Sequence, residues 1–350
     1  MTSRPPPGEL LQWALRVLAP GPGIAMPALA VVAGDASNRR YYRASIGARS
    51  YILVDAPPAT EKNPAFLAIR ELLAGAGVRV PALYAADLAR GYMALEDLGD
   101  RLLLAELDAG SVDQRYRGAM DLLLQIAAMD LHNAFPPAAL PTYDEALLAE
   151  ELGRFPAWFV EALLGESLGA DEQRLLQANS AVLIASALEQ PRVLVHRDFH
   201  SRNLMPQADG SLGVIDFQDA VLGPVSYDLV SLLRDCYIRW PAAQVEHWAL
   251  AYRQRLQAGG LPGAVEADRF LRWFDLMGLQ RHIKVLGTFA RLYLRDGKPA
   301  YLRDLPLVIH YVREIAAKYA REEPAVAEFQ RWFEQRLAPL IARQDWSVGG

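Results

Sequence analysis

Apolar positions change their period along the chain. Leu10 to Leu18 repeat with helical spacing until Pro20-Gly21-Pro22-Gly23 stops them. Runs rich in β-branched and aromatic residues follow at Leu29 to Val32, Tyr41 to Ile46 and Ser50 to Val54. Turn residues separate them at Gly34-Asp35-Ala36-Ser37-Asn38 and Gly47-Ala48, so the pattern predicts an antiparallel meander. A helix over Pro64 to Ala74, closed by Gly75 and Gly77, comes next, then short strands near Ala82 to Ala86 and Tyr92 to Glu96. From Leu102 the period turns helical: Arg115 to His132, Asp171 to Leu188, and nearly all of Val245 to Arg343, with Pro262, Pro299 and Pro306 as breaks. His132 reads as a structural helix-end histidine.

Two apolar runs break this scheme. Val193-Leu194-Val195 leads into His196-Arg197-Asp198, and Val214-Ile215 leads into Asp216. An ionised carboxylate at the end of a core strand is costly unless it is paired or bound to a cation, so chemistry is the better reason for it.

Composition narrows the partners. The chain has 350 residues and a net charge of −5, which gives no general attraction to nucleic acid or anionic membranes. At this length two lobes are expected rather than one core. The lone Cys236 excludes an internal disulfide and a multi-cysteine metal site, fitting a reducing cytoplasmic compartment. The start lacks the apolar stretch of a secretory signal, and the apolar runs are too short to span a bilayer.

His196-x-Asp198-x-x-x-x-Asn203 followed by Ile215-Asp216-Phe217 resembles the catalytic and metal-binding loops of protein kinases and of the aminoglycoside phosphotransferase-like kinases. The resemblance implies an ATP-dependent phosphotransferase with Asp198 as base and Asn203 and Asp216 as Mg²⁺ ligands, oxygen donors that a hard cation prefers. His196 and Arg197 brace the loop, and a zinc site on His196 and His200 lacks a further ligand. Asp228 opens a helix and pairs with the loop backbone. About a dozen positions between Asp216 and Asp228 cannot hold the activation segment of a protein kinase, so a small substrate is expected. The element order is similar to the kinase fold, an α+β bilobal architecture with a small antiparallel-sheet N-lobe and a large mostly helical C-lobe. It implies a nucleotide-binding lobe at 1–98, a hinge near 94–99 whose backbone at Glu96 and Leu98 meets adenine, and a C-lobe at 99–350.

One feature of most such kinases is missing. Their third strand carries a phosphate-binding lysine paired with a glutamate, but here Tyr51-Ile52-Leu53-Val54 runs into Asp55. Ser37, Asn38, Arg39 and Lys62 are the candidates to meet the phosphates instead, against the alternative of an ordinary hairpin turn with solvated arginines.

Asp55-Ala56-Pro57-Pro58, Leu232 to Tyr237, Gln280 to Gly287 and Arg295-Asp296-Gly297-Lys298 look like the anomeric N-acetylmuramate/N-acetylglucosamine kinases of bacterial cell-wall recycling. That family phosphorylates the sugar's anomeric hydroxyl, giving a 1-phosphate that a uridylyltransferase consumes. Arg234, Arg281, His282 and Lys284 are basic groups suited to an acidic sugar, unless Arg281 to Lys284 form a solvated helix face. Asp219 either touches substrate or magnesium-bound water, or lies in a solvated turn. The alternatives are a kinase for another hydroxyl compound, such as an aminoglycoside, an amino alcohol or a different sugar, and a kinase-like nucleotide-binding pseudoenzyme.

Overall fold

The structure, a computed structural model, describes residues 8–18, 27–32, 38–131 and 140–347. Ser37, the turn residues 33–36, the proline-glycine cluster at 20–23 and His132 lie outside the described residues. The chain forms two compact units, Met1–Leu103 with Asn203–Gln218, and Leu104–Arg202 with Asp219–Gly350.

In the first unit, α1 (Gly8–Leu18) precedes β1 (Ala30–Val32), β2 (Arg40–Ile46), β3 (Arg49–Asp55), α2 (Asn63–Gly75), β4 (Leu83–Asp87) and β5 (Tyr92–Glu96). The strands make one antiparallel sheet in the order β1-β2-β3-β5-β4, so the expected meander is present with β4 on the outer edge. Alternation along β2 and β3 puts Tyr42, Ala44 and Ile46 with Tyr51 and Leu53 on one face, which Leu10, Leu11, Trp13 and Ala14 of α1 cover. Pro64 sits in the first turn of α2, where a missing N–H leaves no bond unmade, and Phe66, Ile69, Leu72 and Leu73 are that helix's buried face. The chain returns to this unit in a hairpin of β7 (Leu204–Pro206) and β8 (Leu212–Val214), pinned by the Val214 N–H on the Arg79 carbonyl at 2.8 Å.

The second unit is mostly helical. Among its described residues the one ladder pairs β6 (Arg192–Val195) antiparallel to β9 (Val221–Pro224). Around it stand α3 (Val112–Ala127), α4 (Glu145–Arg154) continuing into a π-helical stretch at Phe155–Leu163, α5 (Ala170–Leu188), α6 (Tyr227–Leu233), α7 (Ala242–Ala258), α8 (Ala267–Leu294), α9 (Leu305–Tyr319), α10 (Pro324–Trp332) and the short α11 (Ala338–Ile341). Asp144 caps α4 through the Leu147 N–H at 3.0 Å. Pro262 and Pro299 separate helices as expected, but Pro306 lies in the first turn of α9, where proline's fixed φ suits the helix rather than breaking it.

The axis of this unit is α8, with 19 of its 28 residues buried. Buried on every side, it shows no single apolar stripe. The solvated-face reading of residues 281–284 is therefore overturned, since Arg281, His282, Ile283 and Lys284 are all buried. Gly287 lets α8 come against the α4 end, because a Cβ there would overlap the backbone of Arg154 and Phe155.

Candidate active site

Each unit carries part of the candidate machinery. In the second unit, β6 delivers the chain to His196, and the loop then turns through Arg197 at φ +75°, a left-handed conformation rarely adopted by a residue with a Cβ. Asp228, in the first turn of α6, holds that turn: its carboxylate accepts the His196 N–H at 2.6 Å and the Arg197 N–H at 3.0 Å. Burial pushes the Asp228 carboxyl up to about 6. This is the bracing role the sequence suggested. His196 adds to it by accepting the Asp198 N–H on Nδ1 at 3.3 Å. A second carboxylate, Asp235, fixes the far side of the loop by accepting the Ser201 N–H at 2.9 Å and the Ser201 hydroxyl.

Beneath the loop lies a group that sequence reasoning missed. Glu151 of α4 is fully buried, accepts from the Arg197 guanidinium and the Tyr143 hydroxyl, and forms an ion pair with the Lys284 ammonium at 3.2 Å. Burial pushes its carboxyl up, but Lys284 and Arg197 outweigh that and hold it down at about 2. Asp198 responds to the same charges. Burial raises its carboxyl, yet Lys284, His200, Arg281 and Arg197 bring it below the usual carboxylate range, so it stands ionised at neutral pH. Glu151 left no signal in the sequence, because Ala149-Glu150-Glu151-Leu152 reads as the polar side of an amphipathic helix.

The structure engages the basic candidates internally. Arg234 pairs with Asp275 at 2.6 Å and lies over the Phe274 ring at 4.6 Å. Arg281 donates to the Cys236 sulfur at 3.4 Å. His282 places Nε2 3.0 Å from the Arg234 carbonyl and stacks on Tyr311, and burial with the neighbouring arginines pushes its imidazole down to about 3. Lys284 also donates to the Tyr227 hydroxyl at 2.8 Å. Asp219 is exposed, and its carbonyl accepts from Arg197 at 3.4 Å.

In the first unit, Asn203 and Asp216 come together, with Nδ2 and Oδ2 3.3 Å apart. Asp216 also has φ +65°, and its other oxygen accepts from Gln218 at 2.6 Å. The hydrogen bond from the Ile215 N–H to the Asn203 carbonyl, 3.1 Å, keeps the two residues in register. Phe217 stacks on Phe66 of α2 at 5.0 Å, and the Arg39 guanidinium lies over the same Phe66 at 4.7 Å. Arg39 is buried, within 3.4 Å of Glu61 and 3.5 Å of the Asn63 side chain. Glu61 also accepts the Asn38 N–H at 3.1 Å. Lys62 is exposed. At the expected hinge, the Glu96 carboxylate holds Arg79 at 2.7 Å and the Ala82 N–H at 3.1 Å, while the Leu98 carbonyl accepts from Gln207 at 3.3 Å.

Residues 28–271 match the phosphotransferase enzyme family. The N-acetylmuramate/N-acetylglucosamine kinase of Pseudomonas putida is 44% identical over 300 residues, covering 86% of each chain. Its namesake in Pseudomonas aeruginosa is 41% identical over 89% of each chain, and that of Neisseria meningitidis 39% identical over 85% of this chain and 89% of the other. Among solved structures, the choline kinase LicA from Streptococcus pneumoniae superposes with a TM-score of 0.60 at 16% identity, covering 87% of this chain and 97% of that one. The GDP complex of aminoglycoside 2'-phosphotransferase-IIIa gives 0.55 at 15% identity, covering 88% and 97%. At such identities the likeness speaks for the fold alone, and it bears out the α+β protein-kinase-like architecture. Sequence match and fold lead to one conclusion: the chain belongs to the phosphotransferase enzyme family and is an enzyme that phosphorylates a hydroxyl group.

Proposed function

We propose that the enzyme transfers the γ-phosphoryl group of ATP to the anomeric hydroxyl of N-acetylmuramate or N-acetylglucosamine, giving the sugar 1-phosphate. The observation that carries the chemistry is Asp198, kept ionised on a loop that Asp228 and Asp235 tie down on either side. The names of relatives at 39–44% identity carry the choice of sugar. Asp198 takes the proton of the attacking hydroxyl as the bond to phosphorus forms. Glu151 absorbs part of the charge of Arg197 and Lys284, the two cations that also lower the Asp198 carboxyl.

Magnesium fits the residues present. Asn203 offers an amide oxygen and Asp216 a carboxylate within one hydrogen-bonded pair, the hard oxygen donors that this cation selects. When bound there it neutralises charge on the phosphates. Arg39 with its Glu61 partner restores the charge make-up of the absent lysine-glutamate pair, so Arg39, with Ser37, Asn38 and Lys62, is assigned to the phosphates. Glu96 and Leu98 are assigned to adenine through their backbone, residues 1–98 to the nucleotide, and residues 99–350 to the catalytic loop, the metal site and the acceptor. In this reading the enzyme works in the cytoplasm in peptidoglycan recycling, its product passing to a uridylyltransferase. Among the described residues no helix is long and apolar enough to cross a membrane.

Phosphorus NMR of the product from ATP, Mg²⁺ and each sugar tests the reading. A phosphorus coupled to the anomeric proton is expected, and coupling to the C6 protons would reject the position of transfer. Turnover of choline or kanamycin with neither sugar accepted would reject the substrate class. Asp198→Asn should lower kcat by about 10²-fold or more with ATP binding retained.

A further inference from the structure

The basic groups that the sequence offered for an acidic sugar are occupied within the fold. Arg234 is neutralised by Asp275 and Lys284 by Glu151, while Arg281 and His282 are buried against Cys236 and the Arg234 carbonyl. Arg202 differs from them. It lies on the loop that carries Asp198, and its side chain keeps 43% of its surface exposed. Its guanidinium carbon lies over the Tyr237 ring, 3.5 Å from the centroid. Among the described residues the one carboxylate within 4 Å of it is Asp304 at 3.9 Å, beyond hydrogen-bond length.

The platform beneath Arg202 is built, not incidental. One oxygen of Asp235 accepts the Ser201 N–H at 2.9 Å and the other accepts the Tyr237 N–H at 3.1 Å. The same buried carboxylate therefore fixes the residue before Arg202 and the ring on which Arg202 stacks. His200 makes a T-shaped contact with that ring at 5.2 Å, which helps fix it in place. A stacked guanidinium loses little further freedom on binding, and its fork of donors matches a carboxylate with two parallel hydrogen bonds.

We infer that Arg202 is a specificity-determining residue that binds the carboxylate of an acidic acceptor sugar, distinguishing N-acetylmuramate with its lactyl group from the neutral N-acetylglucosamine. The inference rests on the proposed function. Its chemistry is general: the two sugars differ by the lactyl ether alone, so a cation reading that group moves their relative rates and not the phosphoryl-transfer step common to both.

The experiment compares kcat/KM for the two sugars, with KM for ATP measured alongside, in the wild type, Arg202→Gln and Arg202→Lys. Loss of one charge-assisted bidentate contact should lower the N-acetylmuramate to N-acetylglucosamine ratio by about tenfold or more in Arg202→Gln. Arg202→Lys, which keeps the charge without the planar fork, should recover part of it. A ratio unchanged in both variants overturns the inference whatever the absolute rates, and leaves the sugar kinase reading standing. An unchanged ratio with a raised KM for ATP overturns it too and moves Arg202 to the phosphates. Wild-type turnover of N-acetylglucosamine alone also refutes it, while turnover of neither sugar removes the proposed function and the inference together.

Discussion

Asp228 shows how much one residue carries. It accepts two successive backbone N–H groups at the turn where Arg197 adopts φ +75°, so it compensates a conformation that the chain would otherwise leave. Asp228→Asn keeps the shape but presents an amide N–H₂ to one of those donors. We expect kcat to fall by about tenfold or more, with a stability loss of about 1–3 kcal/mol, measured by steady-state kinetics and urea unfolding. An unchanged kcat would show that the loop does not need this anchor. Asp198, Asn203, Asp216 and Asp228 were visible in the sequence because their spacing is local and a carboxylate at the end of an apolar run is conspicuous. Glu151 was not, since its partners Arg197 and Lys284 lie 46 and 133 positions further along the chain. Breaking a buried pair is costly because the remaining charges stay buried, so Glu151→Gln should lose about 3–5 kcal/mol, and a loss below about 1 kcal/mol would deny the network any structural weight.

At the scale of elements, the sequence was most legible where one face is solvated. The strands of the first sheet and α5 agree with their expected positions to within a residue or two, while α3 runs from Val112 to Ala127 and so ends five residues before the expected His132. It was least legible in α8, whose charged residues point to a surface helix while burial on all sides hides any stripe. The hairpin at residues 203–218 gave no sign of belonging with the first sheet, because strands of three residues are too short for alternation to show. Two glycines make a test of packing between elements. At Gly287 a Cβ would overlap the backbone of Arg154 and Phe155, which cannot rotate away, so Gly287→Ala should destabilise by about 1–3 kcal/mol. At Gly75, the last residue of α2, a Cβ meets nothing within 4 Å, and Gly75→Ala should be neutral or stabilising by up to about 1 kcal/mol. Thermal melts of the two variants should shift in different directions or by clearly different amounts, and equal shifts would remove the close approach of α8 to the end of α4 as a feature that matters.

For the whole molecule, buried titratable groups pull stability in opposite directions with pH. The His282 imidazole is held near 3 by burial and by Arg281 and Arg234, against about 6.5 in an unfolded chain. Between those values the unfolded chain binds a proton that the folded one refuses, so His282 costs stability as the pH falls from about 6.5. Asp228 does the reverse. Its carboxyl is raised to about 6 against 3.8, so between those values the folded chain holds the extra proton and gains stability on acidification. The two slopes cancel over roughly pH 4–6, each about 1.4 kcal/mol per pH unit at most. Below about 4.5 Glu151 adds a falling slope, because its folded value near 2 makes the unfolded chain the stronger proton acceptor. Burial also holds the His200 imidazole below its usual value, a slope of the same sign as that of His282, so the expected profile for the wild type falls gently from pH 6 to about 4.5 and steeply below. Urea unfolding across that range should give His282→Phe a stability that rises on acidification and Asp228→Asn one that falls, their slopes differing from the wild type by about one proton in opposite senses. Parallel slopes in all three proteins would mean that burial of these two groups does not set the acid response, and that Glu151 and the other paired carboxylates set it alone.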